Sequence, residues 1–202
     1  MALNSNALTT LATAKTYLKI PTGELSQDAL VELYINAASQ ELEQECDRKL
    51  KTQAITETRH GRKQNILLLK EWPVTAIAEL RIDGQANFTD PSTLIPATDY
   101  RLGEDAQSIV LLNRVFPNGY GNIKAVYTAG YVTVPSDLEH ACLWLVSWFQ
   151  QMRDSKDIGR ESKSKGDESV TMLQTSPQYV KDAIARYKRT EFASVESSIW
   201  NT

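Results

Sequence analysis

The spacing of hydrophobic residues predicts helices at both ends of the chain. Apolar positions recur three and four residues apart over about 10–19 and 26–50, and again over 136–153 and 177–189. This spacing places the apolar side chains on one face of a helix. Helix 136–153 differs from the others because its apolar residues leave almost no polar face. A helix of this kind is typically buried in a core or shared with a neighbour.

The pattern in the middle of the chain is that of strands. Short or alternating apolar runs are separated by turn residues such as Asp83 and Gly84, whereas residues 87–99 have the composition of an irregular loop. The predicted strands are 54–58, 66–69, 77–82, 109–112 and 124–129.

The order of these elements favours an α+β fold, because helices are followed by a run of strands and then by helices again. We expect a single domain over residues 1–202. About four helices, in segments 8–50 and 136–189, form a helical bundle, and a small antiparallel β sub-domain over 51–131 is inserted between helices 2 and 3.

Two C-terminal segments lack the composition of a packed element. Residues 154–169 contain a single apolar residue, Ile158, so burial cannot offset the entropy of ordering them and we expect a mobile loop. The tail, residues 190–202, is too sparse in bulky residues to form a core of its own. It is either frayed or docked into another protein, and docking is favoured because tryptophan is a common interface anchor. Its bulky residues are Phe192, Val195, Ile199 and Trp200.

Composition narrows the class of protein. Of the 202 residues, 42% are hydrophobic and 23% are charged, which is ordinary for a globular chain. The net charge of -3 is opposite in sign to that of a strongly basic nucleic-acid binder. No apolar run approaches the ~20 residues of a membrane span, and the polar N-terminus predicts no secretory signal. Two cysteines cannot form a disulfide scaffold, so we expect folding in a reducing cytosol.

Motifs for catalysis or metal binding are missing from the sequence. His140 and Cys142 stand two positions apart on a predicted helix and point in different directions, so we interpret them as a surface imidazole and a buried thiol. Cys46 lies between two acidic residues, which raise the pKa of a thiol, and the acids of 41–47 are interpreted as a solvated helix face. No phosphate-binding glycine motif occurs. The sequence therefore predicts a protein that is not an enzyme and needs no cofactor.

Several short motifs, in order along the chain, carry a family resemblance. The main one is VYTAGY at 126–131, which is followed by VPSDL at 134–138 and by an apolar helix that ends near Arg153. These motifs and their spacing over about residues 8–153 resemble the head–tail connector (adaptor) proteins of long-tailed double-stranded-DNA bacteriophages. The matching N-terminal positions are Leu11, Ala14, Lys15, Tyr17 and Leu18 in the first helix, and Asp28, Leu30, Ile35, Ala37, Ala38, Glu43 and Arg48 in the second.

The resemblance implies a structural virion protein, made in the host cytoplasm and located at the neck between head and tail. Subunits of that family form a ring, typically dodecameric, beneath the portal protein. The ring extends the DNA channel and presents a platform for stopper or tail-terminator proteins. Genomic DNA is expected to pass through it without sequence-specific binding, and a mildly acidic subunit suits that passage. No membrane partner is implied.

Two groups of residues are the candidate contact sites. On the apolar helix we expect a subunit interface, and at the C-terminus we expect docking to the portal. The interface residues are Trp144, Trp148 and Arg153, and the docking residues are Tyr187, Phe192, Val195, Ile199 and Trp200.

Two alternative functions remain at this point. A tail-completion or tail-terminator subunit would also form rings, but such proteins tend to be β-rich, and the helical termini argue against that. A small DNA-binding protein would need a basic recognition helix, for which 177–189 is the candidate. Its apolar stripe is more typical of packing or docking.

Overall fold

The chain folds into two compact units. Residues 1–48 and 134–202 form unit 1, and residues 49–133 form unit 2. Unit 1 carries the long helices, and unit 2 carries two three-stranded antiparallel sheets. The α+β fold with a β sub-domain between the second and third helices is therefore confirmed. The structure, a computed structural model, describes residues 2–155, 162–165, 168–171 and 177–189.

Four helices build the described part of unit 1: α1 (Leu11–Tyr17), α2 (Asp28–Glu45), α3 (Ser136–Ser155) and α4 (Gln178–Tyr187). Helices α2 and α3 run antiparallel. Ser39 contacts Cys142 at 3.6 Å, and Tyr34, earlier in α2, packs on Phe149, later in α3. Their facing side chains, such as Leu42 and Leu138, are fully buried. No helix within the described ranges is both long and apolar enough to cross a lipid bilayer.

Helix α2 is shorter than the sequence pattern predicts. It begins at Asp28, since the Ser26 hydroxyl donates to Glu24 at 2.5 Å and gives the helix no cap. It ends at Glu45 because Asp47 adopts a left-handed conformation, with φ at 50°. A single left-handed residue directs the chain away from the helix axis.

The strands of unit 2 pair into two separate sheets. In the first, β6 (Gly119–Ala129) is the central strand between β1 (Gln53–Gly61) and β3 (Val74–Ile82). In the second, β5 (Ser108–Leu111) lies between β2 (Ile66–Leu68) and β4 (Tyr100–Leu102). All four pairings are antiparallel, as the sequence predicts.

The two sheets of unit 2 share one apolar core. Tyr127 and Ile123 of β6 and Ile109 of β5 are all fully buried there. Strand β4 is missing from the prediction because its three residues have Arg101 between two apolar residues, whereas the equally short β2 lies in the continuous apolar run 66–69.

Two further strands, β7 (Ser162–Lys165) and β8 (Glu168–Thr171), form an antiparallel pair that overlaps the end of the segment predicted as a mobile loop. The sequence analysis does not anticipate these two strands, and six of their eight residues lie within 154–169. Alternating polar and charged side chains leave no apolar pattern from which a hairpin could be read. Mobility of the segment stays a prediction.

Candidate interaction surfaces

Helix α3 divides its apolar residues between the core of unit 1 and its surface. One side of the helix is fully buried, whereas Trp144, Trp148 and Phe149 are only half-buried. The prediction of a largely buried helix is confirmed, and the remaining aromatic surface is left for a second contact. The buried residues are Leu138, Ala141, Cys142, Leu143, Leu145 and Val146.

An open, almost entirely apolar groove of about 740 Å³ lies along α2 and α3. We call it the α2–α3 groove. Leu33 of α2 is 43% exposed at this surface. The one charged group in the lining is Arg153, whose Nε and Nη2 donate to Asp154 Oδ1 at 2.8 and 2.6 Å. The lining residues are Leu33, Tyr34, Ala37, Trp148, Phe149, Met152 and Arg153.

The aromatic rings of the groove form a contiguous cluster. The Phe149 ring lies 6.0 Å from that of Tyr34 and 5.5 Å from that of Trp148, between centroids. Trp144 extends the cluster by one turn, with its ring nearly parallel to that of Trp148 at 6.4 Å. Rigid aromatic surface of this kind is enriched at protein interfaces.

The structure brings together the three residues predicted for the subunit interface. Trp148 and Arg153 line the groove, and Trp144 stacks on Trp148. Their role in subunit contact stays a prediction. Leu33 and Tyr34 also line the groove but were not selected from the sequence. Their helical spacing groups them with the apolar residues of α2 that are expected in the core. The signal that could have identified them is the width of that face, which exceeds what one packed helix covers.

The residues predicted for portal docking fall in different places. The Tyr187 hydroxyl donates to Asp137 Oδ1 at 2.8 Å, and Arg186 pairs with the other oxygen of the same carboxylate at 2.5 Å. These bonds fasten α4 to the first turn of α3. Portal docking through Tyr187 stays a prediction, and the remaining four positions, Phe192, Val195, Ile199 and Trp200, lie outside the described residues.

The two cysteines and His140 were the candidate reactive groups of unit 1, and each has an ordinary structural environment. Cys46 and Cys142 are buried, and burial raises the pKa of each thiol to about 11. His140 is exposed, with its ring 5.1 Å from that of Tyr179 and 6.0 Å from that of Tyr17. The interpretation of His140 as a surface imidazole and of Cys142 as a buried thiol is confirmed. Within the described ranges, no three His, Cys, Asp or Glu side chains come together as metal ligands.

Three of the four acids of the 41–47 run are exposed, as predicted, and Glu43 is the exception. Glu43 is only 6% exposed, and its carboxylate accepts a hydrogen bond from Asn6 at 3.1 Å. Arg48, which follows it in the family motif, is also buried. The N-terminal segment covers this side of α2, a tertiary contact that helical spacing does not reveal.

The main motif of the resemblance has a structural explanation. VYTAGY forms the end of β6, where the buried Tyr127 hydroxyl accepts a hydrogen bond from the Glu71 backbone N–H at 3.2 Å. Gly130 follows with φ at 106°, and a Cβ there would lie 2.5 Å from the Lys51 carbonyl oxygen. Only glycine meets both conditions, since other residues rarely adopt this backbone conformation.

Comparisons with known proteins agree with this architecture. The chain resembles three solved structures titled "Neck of empty GTA particle computed with C6 symmetry", "Virion of native gene transfer agent (GTA) particle" and "Neck of native GTA particle computed with C12 symmetry". TM-scores are 0.64, 0.63 and 0.63, each at 20% identity over 96% of this chain and 95% of the other, which establishes a shared fold. No curated protein sequence matches. The model of the head completion protein family matches residues 7–190, and the chain therefore belongs to that family.

Proposed function

We propose that this chain is a structural protein of the virion neck that assembles into a ring beneath the portal. The ring, with twelve subunits as its expected number, extends the DNA channel and gives stopper or tail proteins a platform. Family membership and the neck titles with C6 and C12 symmetry support this proposal. The observation on this chain that carries it is the open α2–α3 groove, an aromatic surface that the other described residues of unit 1 leave open.

In this proposal the groove receives an apolar segment of a second copy of the chain. A cyclic arrangement requires every subunit to present one surface to the neighbour on one side and a different surface to the neighbour on the other. The groove supplies the first surface. Half-buried tryptophan and phenylalanine rings on it would become fully desolvated in the ring, where such residues contribute most of the binding free energy.

The interface can be tested with charge substitutions on both walls of the groove. Trp148→Glu on α3 and Leu33→Glu on α2 would each bury an unpaired carboxylate in the contact. Leu25→Glu is the matched control, because Leu25 is 70% exposed in unit 1 and lies outside the groove. Circular dichroism first verifies that each variant is folded. Incorporation into particles is then measured by cryo-electron microscopy, and self-association of free subunits by mass photometry.

We expect the control to enter neck rings and both groove variants to be excluded. The portal can template assembly, so the free subunit need not be oligomeric. A folded Leu33→Glu protein that enters rings at the wild-type level would refute the groove as the interface. A strict monomer in assembled particles would refute the ring itself.

Attachment to the portal is proposed to use the C-terminal tail. A chain without residues 190–202 should melt at nearly the wild-type temperature but lose recruitment to DNA-filled heads. Trp200→Ala should weaken recruitment partly, whereas Ser197→Ala, a small polar position in the same tail, should not change it. Wild-type binding of the truncated chain to portal-bearing heads would move the docking surface elsewhere, with α4 the next candidate.

The two alternative functions are less well supported. A DNA-binding helix at 177–189 would need a face of unpaired cations, but two of the four cations in that segment are paired, Arg186 with Asp137 and Arg189 with Asp47 at 3.2 Å. A tail-terminator subunit of sandwich type would lack the helical unit 1.

A further inference from the structure

One end of unit 2 presents an exposed aromatic pair. The Tyr120 ring stacks on the His60 ring, with centroids 4.1 Å apart and planes 19° from parallel. Tyr120 is 89% exposed, more than any other large hydrophobic side chain in the described part of the chain. It lies at the start of β6, and His60 lies near the end of β1. We call these two residues the aromatic tip.

The backbone beneath the aromatic tip is held in one arrangement. Gly61 N–H donates to Asn122 Oδ1 at 2.8 Å, and Asn122 Nδ2 donates to the Pro117 carbonyl at 2.9 Å. Asn122 is fully buried, and a Cβ on Gly119 would lie 2.6 Å from its side-chain nitrogen. A rigid support of this kind lowers the entropy cost of binding through the side chains that it carries.

The His60 ring is oriented by the same framework. The Gly121 N–H donates to His60 Nδ1 at 2.6 Å, so Nδ1 is an acceptor and the proton of the neutral ring is on Nε2. This bond fixes His60 beneath Tyr120. The aromatic tip therefore offers a preformed apolar surface together with the Tyr120 hydroxyl as a hydrogen-bond donor.

The α2–α3 groove of unit 1 is complementary in chemistry to the aromatic tip. Its lining is almost entirely apolar, and the rings of Tyr34, Trp148 and Phe149 form a contiguous surface within it. Next to this surface Arg153 donates both of its hydrogen bonds to Asp154 Oδ1, which leaves Oδ2 of this half-exposed carboxylate as an acceptor. An aromatic ring can pack on the lining, and a phenol hydroxyl can donate to the carboxylate.

Tyr120 is the strongest candidate for an anchor on the described surface. The other exposed large hydrophobic side chains there are aliphatic, apart from Tyr17 and Tyr179, which are only 39% exposed and contact the His140 ring. Tyrosine is enriched among the residues that dominate binding free energies, whereas leucine and valine are under-represented.

We propose that Tyr120 of one subunit inserts into the α2–α3 groove of the next subunit in the ring. This inference rests on the proposed function and names the segment that fills the groove. A second copy is the occupant because a cyclic ring needs two different contact surfaces on each subunit, and the aromatic tip and the groove lie on different units of the chain. The Tyr120 ring packs on the aromatic lining, its hydroxyl donates to Asp154, and His60 behind it excludes water.

The first test places one cysteine beside each surface and leaves the anchoring side chains in place. Asn118→Cys changes an exposed position two residues before Tyr120, and Ala37→Cys changes an exposed position in the groove wall. The native Cys46 and Cys142 are buried, so they should not react. Particles assembled from the double variant are treated with a short bifunctional thiol reagent and analysed on a denaturing gel.

The matched control combines Ala37→Cys with Val132→Cys. Val132 is 71% exposed and follows the opposite end of β6 from Tyr120. We expect the Asn118 pair to give crosslinked dimers and higher multimers, and the Val132 pair to give monomers.

The second test measures how much Tyr120 contributes to incorporation. Wild-type and variant subunits with different tags are co-expressed, and their ratio in purified particles is compared with their ratio in the cell. Tyr120→Ala, verified as folded by circular dichroism, should be depleted about thirtyfold, as for an interface hot spot. Tyr120→Phe, which loses only the hydroxyl, should be depleted about fivefold. Val132→Ala should be incorporated like wild type.

Two results would overturn the inference. They are equal crosslinking yields of the two cysteine pairs, and incorporation of a folded Tyr120→Ala subunit at the wild-type level. If Trp148→Glu is still excluded from rings in that case, the groove is a subunit interface with a different occupant, and the proposed function stands. Particles whose necks lack a ring of this chain would refute the proposed function and this inference with it.

Discussion

Lys15 provides a sharp test of how unit 1 is held together, because it is a buried lysine at a family-motif position. It is only 3% exposed, and its ammonium donates to the Thr22 carbonyl at 3.2 Å, the Glu24 carbonyl at 2.6 Å and Asp28 Oδ1 at 2.6 Å. One side chain thereby ties the end of α1, the connecting loop and the first turn of α2. We consider the substitution Lys15→Met, which keeps the unbranched stem and removes the three donors.

The loss of stability can be worked from these contacts. Hydrogen bonds to a charged group each contribute about 1.5–3 kcal/mol, so three would contribute about 5–9 kcal/mol if nothing else changed. Removal of the ammonium also removes its own desolvation cost, which is several kcal/mol for a buried ion. Asp28, with a side chain 26% exposed, regains water when its partner is gone. We therefore expect a net loss of about 2–4 kcal/mol.

The assay is thermal and urea unfolding followed by circular dichroism. For a chain of this size the expected loss corresponds to a decrease in Tm of about 10 °C. Lys19→Met is the matched control, since Lys19 is an exposed lysine four residues further along the chain, and it should stay within about 0.5 kcal/mol of wild type. Asp28→Asn combined with Lys15→Met should cost little more than Lys15→Met alone. A Lys15→Met protein as stable as the control would refute the reasoning.

Three further predictions concern burial. Burial raises the pKa of Cys46 and Cys142 to about 11. Neither thiol should therefore react with a disulfide reagent near neutral pH until the chain is unfolded. Rapid labelling of the native protein would contradict this prediction. Burial also raises the pKa of Glu57 above its unfolded value, so its contribution to stability is present below the unfolded pKa and is lost as pH rises through the folded pKa. Glu57→Gln should therefore gain stability relative to wild type between about pH 4 and pH 7 in urea unfolding, and a pH-independent difference would argue against it. Gly61→Ala should lower the free energy of unfolding by about 1–3 kcal/mol, since its Cβ would overlap a backbone carbonyl. Gly84→Ala is the control, because the space around Gly84 is open, and it should have little effect. Equal melting temperatures of the two variants would disprove the steric argument.

Much of the secondary structure follows from local pattern. Helix α3 was predictable because Pro135 and Ser136 mark its start and its apolar residues continue for four turns. Strand β6 was predictable because its residues alternate in burial over most of its length. Boundaries were less certain where one residue decides them, as Asp47 does at the end of α2.

The residues of the candidate contact surfaces were also only partly predictable from the sequence. Trp148 could be selected from sequence because an apolar helix has more hydrophobic surface than one partner covers. Leu33 could not, since both its side of α2 and that of the fully buried Ile35 carry apolar residues, and helical spacing does not show which side meets the core. The stacking of Tyr120 on His60 joins residues 60 positions apart, and its geometry depends on the register of β1 with β6.

The sequence by itself determined the fold class, the order of helices and strands, and the family, because periodicity and motif spacing are properties of short segments. The tertiary structure decided which apolar residues remain at the surface, which acid of α2 is buried, and which cations are paired. Those properties depend on contacts between segments distant along the chain. Glu43 illustrates the reason: its environment is set by Asn6, 37 positions away, and no local pattern contains that information.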